Sequence, residues 1–295
     1  MITARTMTIL ENIGLSEEIL SRGTVIEGLD LHFNQRRLGS VSMSLAALSA
    51  TVRYPFPFIL AQPEVEEALE NALNKRGTHV EFETEVTGVE ELKEHVKVML
   101  KDGSTIKARY VVGCDGAHSV VRHSNKEWKF EGRPVNVIWA QCDGTITDER
   151  VHTTRGGFFV GPSGMAPHVY LLFNPGFALR LPYIHHQRRF RVIVSVPPEQ
   201  MSLEQTTEFR YGRIDNRKPT LEQFNGLVKA AMGPNYFSEV TNPTWLTYFM
   251  VQERMVNNLR NGRRLFLAGD AAHCHSPAGG QGMNMGIQDG IPVPK

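Results

Sequence analysis

Apolar positions between residues 5 and 22 recur at helical spacing: Met7, Ile9-Leu10, Ile13, Leu15 and Ile19-Leu20, with Gly23 behind them as a stop. They predict one amphipathic helix. Residues 24–52 change to a weak alternation, as in Leu29-Asp30-Leu31-His32-Phe33, which predicts short antiparallel strands. After a Pro-aromatic loop at 54–58, a second helix is predicted from Pro63 to Lys75-Arg76, stopping at Gly77. Proline sits in its first turn, with acids at the positive end of the helix dipole and bases at the other. Strands are then predicted at 79–82, 85–92, 96–100 and 105–109, with Asp102-Gly103 as a hairpin turn. A short apolar strand at 110–114 runs into Asp115-Gly116. From about 128 to 200 the pattern is rich in strands, as at 169–173 and 190–196. Thr220 opens a helix over 220–232 that Gly233-Pro234 ends. Leu265 to Ala268 reads as a buried strand, and 282–289 as the start of a helix. The chain is predicted to be mixed α/β with an antiparallel middle.

A length of 295 residues allows one large or two ordinary domains. With 41% hydrophobic and 21% charged residues and a formal net charge of +1, the composition is that of a soluble globular protein. No overall field recruits nucleic acid or an anionic membrane. Three scattered cysteines, Cys114, Cys142 and Cys274, argue against a disulfide framework and suit a reducing compartment. No apolar run approaches the roughly 18 residues of a membrane span, and no secretory leader is evident. A cytoplasmic location is the expectation.

Two segments carry chemistry. In Leu265-Phe266-Leu267-Ala268-Gly269-Asp270, a buried strand delivers Asp270 at its carboxyl end, where its carboxylate can accept hydrogen bonds from the hydroxyls of a polyol or ribose. Ala271 and Ala272 let a flat or extended ligand come close. Gly279-Gly280-Gln281-Gly282 then exposes backbone N–H groups at a helix start, a nest for a pyrophosphate or an anionic ring oxygen. The second segment runs from Arg109 to Arg122. Its strand leads into Asp115-Gly116, and Ser119 can cap a short helix ending near Arg122. Asp115 and Arg122 could pair to hold the turn or contact a dinucleotide; a plain capped turn is an equal alternative.

GCDGAHSVVR resembles the DG motif of the flavin-dependent aromatic hydroxylases, and RRLFLAGDAAHCHSPAGGQGMNMGIQD resembles their GD motif. These are the group A flavoprotein monooxygenases, similar to p-hydroxybenzoate hydroxylase and phenol hydroxylase. ARTMTILENIGL and FILAQPEVEEALENALNKRG resemble two further segments that line the flavin. The resemblance covers nearly the whole chain and is weakest between about 123 and 260. It implies an α/β fold in which a doubly wound, Rossmann-like FAD domain (1–28, 54–122 and 256–295) is interleaved with an antiparallel-sheet substrate domain (29–53 and 123–255).

It further implies FAD as cofactor, NAD(P)H as co-substrate and a small aromatic substrate, with no nucleic acid partner and room for a homodimer. By position, Asp270 would bind the ribityl chain with Gly269 in the tight turn. Pro277 and the backbone from Gly280 through Gly282 and Met283 to Asn284 would face the isoalloxazine ring. Arg5 would approach the phosphates and Gln62 the ribityl or phosphate region. Asp115 would lie near the pyrophosphate and the route of NADPH. No catalytic base is assigned.

The family pattern also includes an N-terminal strand–GxGxxG–helix, which holds the pyrophosphate, and a longer final helix. Neither is found here, so the FAD domain is expected to be incomplete at both ends, short of roughly 40 residues at the first. A remnant that does not retain flavin is the competing expectation. Among smaller signals, His273-Cys274-His275 does not have a usual zinc spacing, so no metal is expected. His185-His186 suits a polar turn, and Tyr183, Phe159 and Trp139 suit core packing better than a substrate pocket. The purified chain is therefore expected to carry much less than one flavin per polypeptide. Its visible flavin absorbance against protein absorbance checks this, and a stoichiometric yellow preparation would refute it.

Overall fold

The computed structural model describes residues 1–43, 51–151, 154–160, 177–184, 188–197, 218–276 and 280–291. In chain order these form α1 (Ala4–Asn12), α2 (Ser16–Arg22), β1 (Thr24–Val25), β2 (Gly28–Phe33), β3 (Arg36–Ser42), β4 (Phe58–Ile59) and α3 (Gln62–Lys75). Then come β5 (Val86–Glu91), β6 (Val96–Leu100), β7 (Thr105–Ala108), β8 (Val111–Gly113), α4 (Val120–His123), β9 (Phe130–Thr145), β10 (Arg155–Val160), β11 (Phe177–Ile184) and β12 (Arg189–Val196). The last are α5 (Leu221–Met232), β13 (Thr241–Val256), β14 (Arg260–Asn261), β15 (Leu265–Leu267), β16 (His273–Cys274) and α6 (Gly282–Asp289). The chain divides into two compact units, Met1–Ala72 with Asn136–Met250, and Leu73–Val135 with Val251–Lys295.

The first unit is built on a sheet in the order β13-β9-β12-β11-β10-β2-β3. Its described pairings are antiparallel except that of β10 with β2, which is parallel from Arg155↔Gly28 to Val160↔Phe33. Helix α5 covers one face. Thr220 accepts from the Gln223 backbone and the Gln223 side chain accepts from the Thr220 backbone, a complete capping box. Gly233, at φ 77°, ends the helix. Phe224, Leu227, Val228, Ala231 and Met232 from α5 meet Ala140 and Cys142 of β9, Phe159 of β10 and Phe190, Val192 and Val194 of β12 in one apolar core. Buried Asn225 is paired on both sides, donating to Val240 O and accepting from Val240 N. Phe159 belongs to this core, and its ring stacks on His32 at 4.4 Å. Trp139 is also buried and stacks with Phe249.

The single helix predicted over 5–22 is two. Gly14 takes φ 79°, its N–H bonds Glu11 O, and Leu15 N–H bonds Leu10 O. That pair of bonds is a Schellman closure, sealed by contact between apolar residues at its two ends, here buried Leu10 and Leu15. The apolar period continued across the break because α1 and α2 bury the same kind of residue.

The second unit holds the antiparallel meander β5-β6-β7 and a small sheet, β14-β15-β8. Its core gathers Val89, Val96, Val98, Val121, Trp128, Val256, Leu265, Leu267, Ala271 and Ala272. The hairpin turn falls at Asp102-Gly103: Gly103 has φ 86°, and Asp102 accepts from Ser104 N at 2.9 Å. Residues 79–82, expected as a strand, form none. Val80 and Phe82 are exposed, Glu83 turns the chain at φ 58°, and among the described residues no strand pairs with the segment. Alternation without a ladder partner does not make a strand. The strand expected at 169–173 and the pair His185-His186 lie outside the described residues, as does the side chain of Tyr183.

Truncating Phe224, fully buried in the first core, is expected to cost about 3–5 kcal/mol. Thr220→Ala, which removes only the cap, should cost about 1 kcal/mol. Urea midpoints of the two variants should keep that order, and equal losses would contradict this account of the core.

Candidate functional site

Strand β15 alternates as its length requires, with Leu265 and Leu267 buried and Phe266 half-buried between them. Its carboxyl end passes through extended Ala268 into a 3-10 turn, Gly269–Ala271. Gly269 sits at φ 57°, a left-handed conformation that disfavours any side chain. The turn leaves Asp270 exposed while Ala271 and Ala272 are completely buried. The Asp270 carboxylate receives no hydrogen bond among the described residues.

Helix α6 returns beside this turn. Gly280 takes φ 62°, and the wholly buried Asn284 donates from Nδ2 to Gly280 O at 2.7 Å, closing the loop onto the first helical turn. Gln281 at the N-cap places no side-chain bond on the first N–H groups, where Gly282 and Met283 begin the helix; among the described residues no side chain caps them. Pro277 and Gly279 lie outside the described residues.

The DG segment approaches the same turn from β8. β8 and β15 pair in parallel, Val111↔Leu265 to Gly113↔Leu267. A Cβ on Gly113 would lie 2.8 Å from both Leu267 and Val121, so only glycine permits this approach. The pairing suggested between Asp115 and Arg122 does not form. Asp115 Oδ2 instead accepts from Val120 N at 2.6 Å and Val121 N at 3.1 Å, capping α4 together with Ser119, whose Oγ accepts from Arg122 N. Arg122 is 2% exposed and turns the other way. Its Nη1 donates to Ala271 O at 2.7 Å and its Nη2 to Ala117 O at 2.6 Å, while the guanidinium lies 3.9 Å over the Phe130 ring. One side chain thus ties the DG loop to the GD turn, 149 residues away in sequence.

A second tie was not foreseen. Asp289, the last residue of α6, accepts from Gly269 N and from His273 Nε2, both at 2.8 Å and both on Oδ2. The signal was present in the sequence, because an acid at the negative end of a helix dipole works against the helix.

Burial, with Asp115 and Asp289, pushes Cys114 up, and burial, with Asp270, pushes Cys274 up to about 11. Among the described residues no group of three or more His, Cys, Asp or Glu is placed to hold a metal ion. Nor is any described helix long and apolar enough to cross a membrane. Gly269, Asp270, Gly280, Gly282, Met283, Asn284 and Asp115 all belong to the second unit. Arg5, exposed on α1, and Gln62, exposed at the start of α3 and donating to Glu66, belong to the first.

A family model described as FAD binding domain matches residues 1–293. The chain belongs to this family. The fold class expected from the DG and GD motifs is therefore correct, and FAD is the family's cofactor. Pentachlorophenol 4-monooxygenase of Sphingobium chlorophenolicum is 29% identical over 98% of this chain and 48% of its own length. An uncharacterized aromatic compound monooxygenase of Bacillus subtilis is 30% identical over 97% and 51%. The chain spans about half the length of the curated relatives it matches. In fold it is similar to the crystal structure of p-nitrophenol 4-monooxygenase from Pseudomonas putida, with a TM-score of 0.76 at 19% identity over 98% of this chain and 66% of that one.

Replacing Arg122 with Met keeps the bulk over Phe130 and leaves two carbonyls without their donor. At about 1–3 kcal/mol for each unsatisfied buried group, the loss should be roughly 2–6 kcal/mol. Arg122→Lys should recover only part, because an ammonium lacks the planar fork that spans both carbonyls. Thermal unfolding of the two variants measures this, and full recovery with Lys would sink the clamp.

Proposed function

We propose that this chain is the flavin-binding portion of an FAD-dependent monooxygenase that hydroxylates a small aromatic substrate using NAD(P)H and O2. The observation carrying the proposal is the GD turn, with an outward Asp270 carboxylate that takes no hydrogen bond from the described residues, beside a helix start with no side-chain cap. These features fit the two polar ends that a flavin presents to a protein: hydroxyls, which donate to a carboxylate, and an electron-rich ring edge, which accepts from backbone N–H groups. The aromatic substrate class is supported by the names of the two curated relatives.

On this reading Asp270 would hold the ribityl hydroxyls, and Gly280, Gly282, Met283 and Asn284, with Pro277, would receive the isoalloxazine ring. Arg5 and Gln62 would serve the phosphate and ribityl side. Asp115 would act through the loop it caps, near the pyrophosphate and the NAD(P)H route. The flavin domain would comprise 1–28, 54–122 and 256–295, with 29–53 and 123–255 selecting the substrate. When bound, FAD supplies the electron transfer and oxygen activation. The contribution of this chain is to bind and orient it. Burial of Ala271 and Ala272 beneath the turn keeps water from that side of the bound group.

The test is NAD(P)H oxidation by the purified chain with excess FAD, with and without a panel of phenols, and mass analysis of products formed under labelled O2. Phenol-stimulated oxidation with one labelled oxygen in the product supports the proposal; no stimulation by any phenol and no FAD binding would end it. Asp270→Ala should weaken FAD binding by roughly 10- to 150-fold, the equivalent of losing charge-assisted hydrogen bonds worth about 1.5–3 kcal/mol. Flavin fluorescence titration reads it.

A further inference from the structure

We infer that Asp289 is the positioning residue of the GD turn: a single carboxylate oxygen fixes the backbone of Gly269 and the ring of His273, and so sets the direction of Asp270. The inference rests on the flavin reading only for what Asp270 then binds. Four observations carry it.

Both donors converge on Asp289 Oδ2 at 2.8 Å, and the Asp289 side chain is 22% exposed against 10% for that of His273. Gly269, whose N–H is held, is the residue at φ 57° that turns the chain into Asp270. Gly286, one helical turn before Asp289 on the same face of α6, packs directly on Gly269: a Cβ built on Gly269 would lie 3.8 Å from Gly286 Cα. The turn is therefore pressed against the helix by two glycines and pinned by the acid beside them. Finally, Asp289 sits where the helix dipole opposes a negative charge, so stabilising α6 does not explain its presence.

The same bond sets a tautomer. A carboxylate only accepts, so His273 Nε2 carries the proton of the neutral ring. Nδ1 is then a bare lone pair, buried with no hydrogen-bond partner among the described residues. An orphaned lone pair in that position costs less than an orphaned N–H would, which makes the assignment self-consistent. His273 is also held on its backbone side, where it pairs with Met255 in the β13–β16 ladder. The segment that follows Asp270 is therefore fixed at both the ring and the main chain.

The experiment uses the full chain and two variants, Asp289→Ala and Asp289→Asn. In flavin-free protein, nitrogen-15 spectra of the histidines should show His273 as the Nε2–H tautomer in the wild type and a mixture in Asp289→Ala. Hydrogen exchange of the Gly269 amide should accelerate at least about tenfold in Asp289→Ala, the equivalent of about 1.4 kcal/mol. FAD affinity should fall by a similar factor while the melting temperature shifts little. Asparagine retains one acceptor oxygen in the same place, so Asp289→Asn should restore most of the Gly269 protection and most of the affinity. An unchanged tautomer with unchanged Gly269 exchange in Asp289→Ala would overturn the inference. So would an affinity loss that asparagine does not relieve. If the wild type binds no FAD, the flavin reading falls, and the exchange and tautomer results alone decide whether Asp289 anchors the turn.

Discussion

The second unit depends on one buried cation. Arg122 is almost inaccessible to water, and an uncompensated charge in such a place costs several kcal/mol. It is tolerated because Ala271 O and Ala117 O take both ends of the guanidinium and the Phe130 ring takes its face. The geometry that satisfies the charge also fixes the chain. β8 and β15 share only three paired residues each, too short a ladder to position what lies beyond their ends. The loops after them carry the candidate chemistry, and Arg122 clamps the backbones of both. Placing a cation between two carbonyls is more selective than placing an apolar residue there, because only one arrangement of the two loops satisfies both acceptors.

The first unit is held on different terms. Its sheet and α5 are tied by apolar packing, with Phe224, Phe190 and Phe159 inaccessible or nearly so. One of its ion-pair clusters lies toward the β3 end of that sheet, where Asp30 accepts from Ser40, Arg155 and Arg37. Burial raises the Asp30 carboxyl, but those bonds outweigh it and bring it down to about 2. Asp30 and Arg155 lie on neighbouring strands, β2 and β10, that pair in parallel, so the ion pair joins segments far apart in sequence. Sheet order here follows from long-range contacts of this kind, which no local pattern encodes.

That difference explains what could be foreseen. Features determined within a few residues were legible: the Thr220 cap and Gly233 stop, the Asp102-Gly103 turn, the Ser119 cap, and the short apolar strand before Gly269. The GD and DG motifs were legible because their glycines meet constraints that only glycine meets, as at Gly113 against Leu267. What escaped was partner choice. Asp115 and Arg122, seven positions apart and opposite in charge, suggest a pair, yet the backbone N–H groups of α4 are nearer to the acid and the carbonyl of Ala271 is in reach of the base. The break at Gly14 was hidden because the helices on either side present the same apolar period. The segment at 79–82 alternated properly but met no partner strand.

The three acids around the turn show how geometry separates roles that a motif leaves merged. Each of Asp115, Asp270 and Asp289 stands at the end of a strand or helix, beside a glycine, and each could be assigned to a cofactor by spacing alone. Asp115 spends one oxygen on two N–H groups of α4, so it completes a helix. Asp289 spends one oxygen on Gly269 and His273, so it completes a turn. Asp270, exposed like the other two, receives no hydrogen bond from the described residues. A carboxylate oxygen already paired within its own chain gains little from a ligand, whereas an unpaired one exchanges water for whatever hydroxyl is presented to it. On the flavin reading proposed above, Asp270 is the acid left open to a ligand; Asp289 and Arg122 hold the turn that carries it, and Asp115 holds the neighbouring loop. A substitution at any of those three would be felt at Asp270 without touching it.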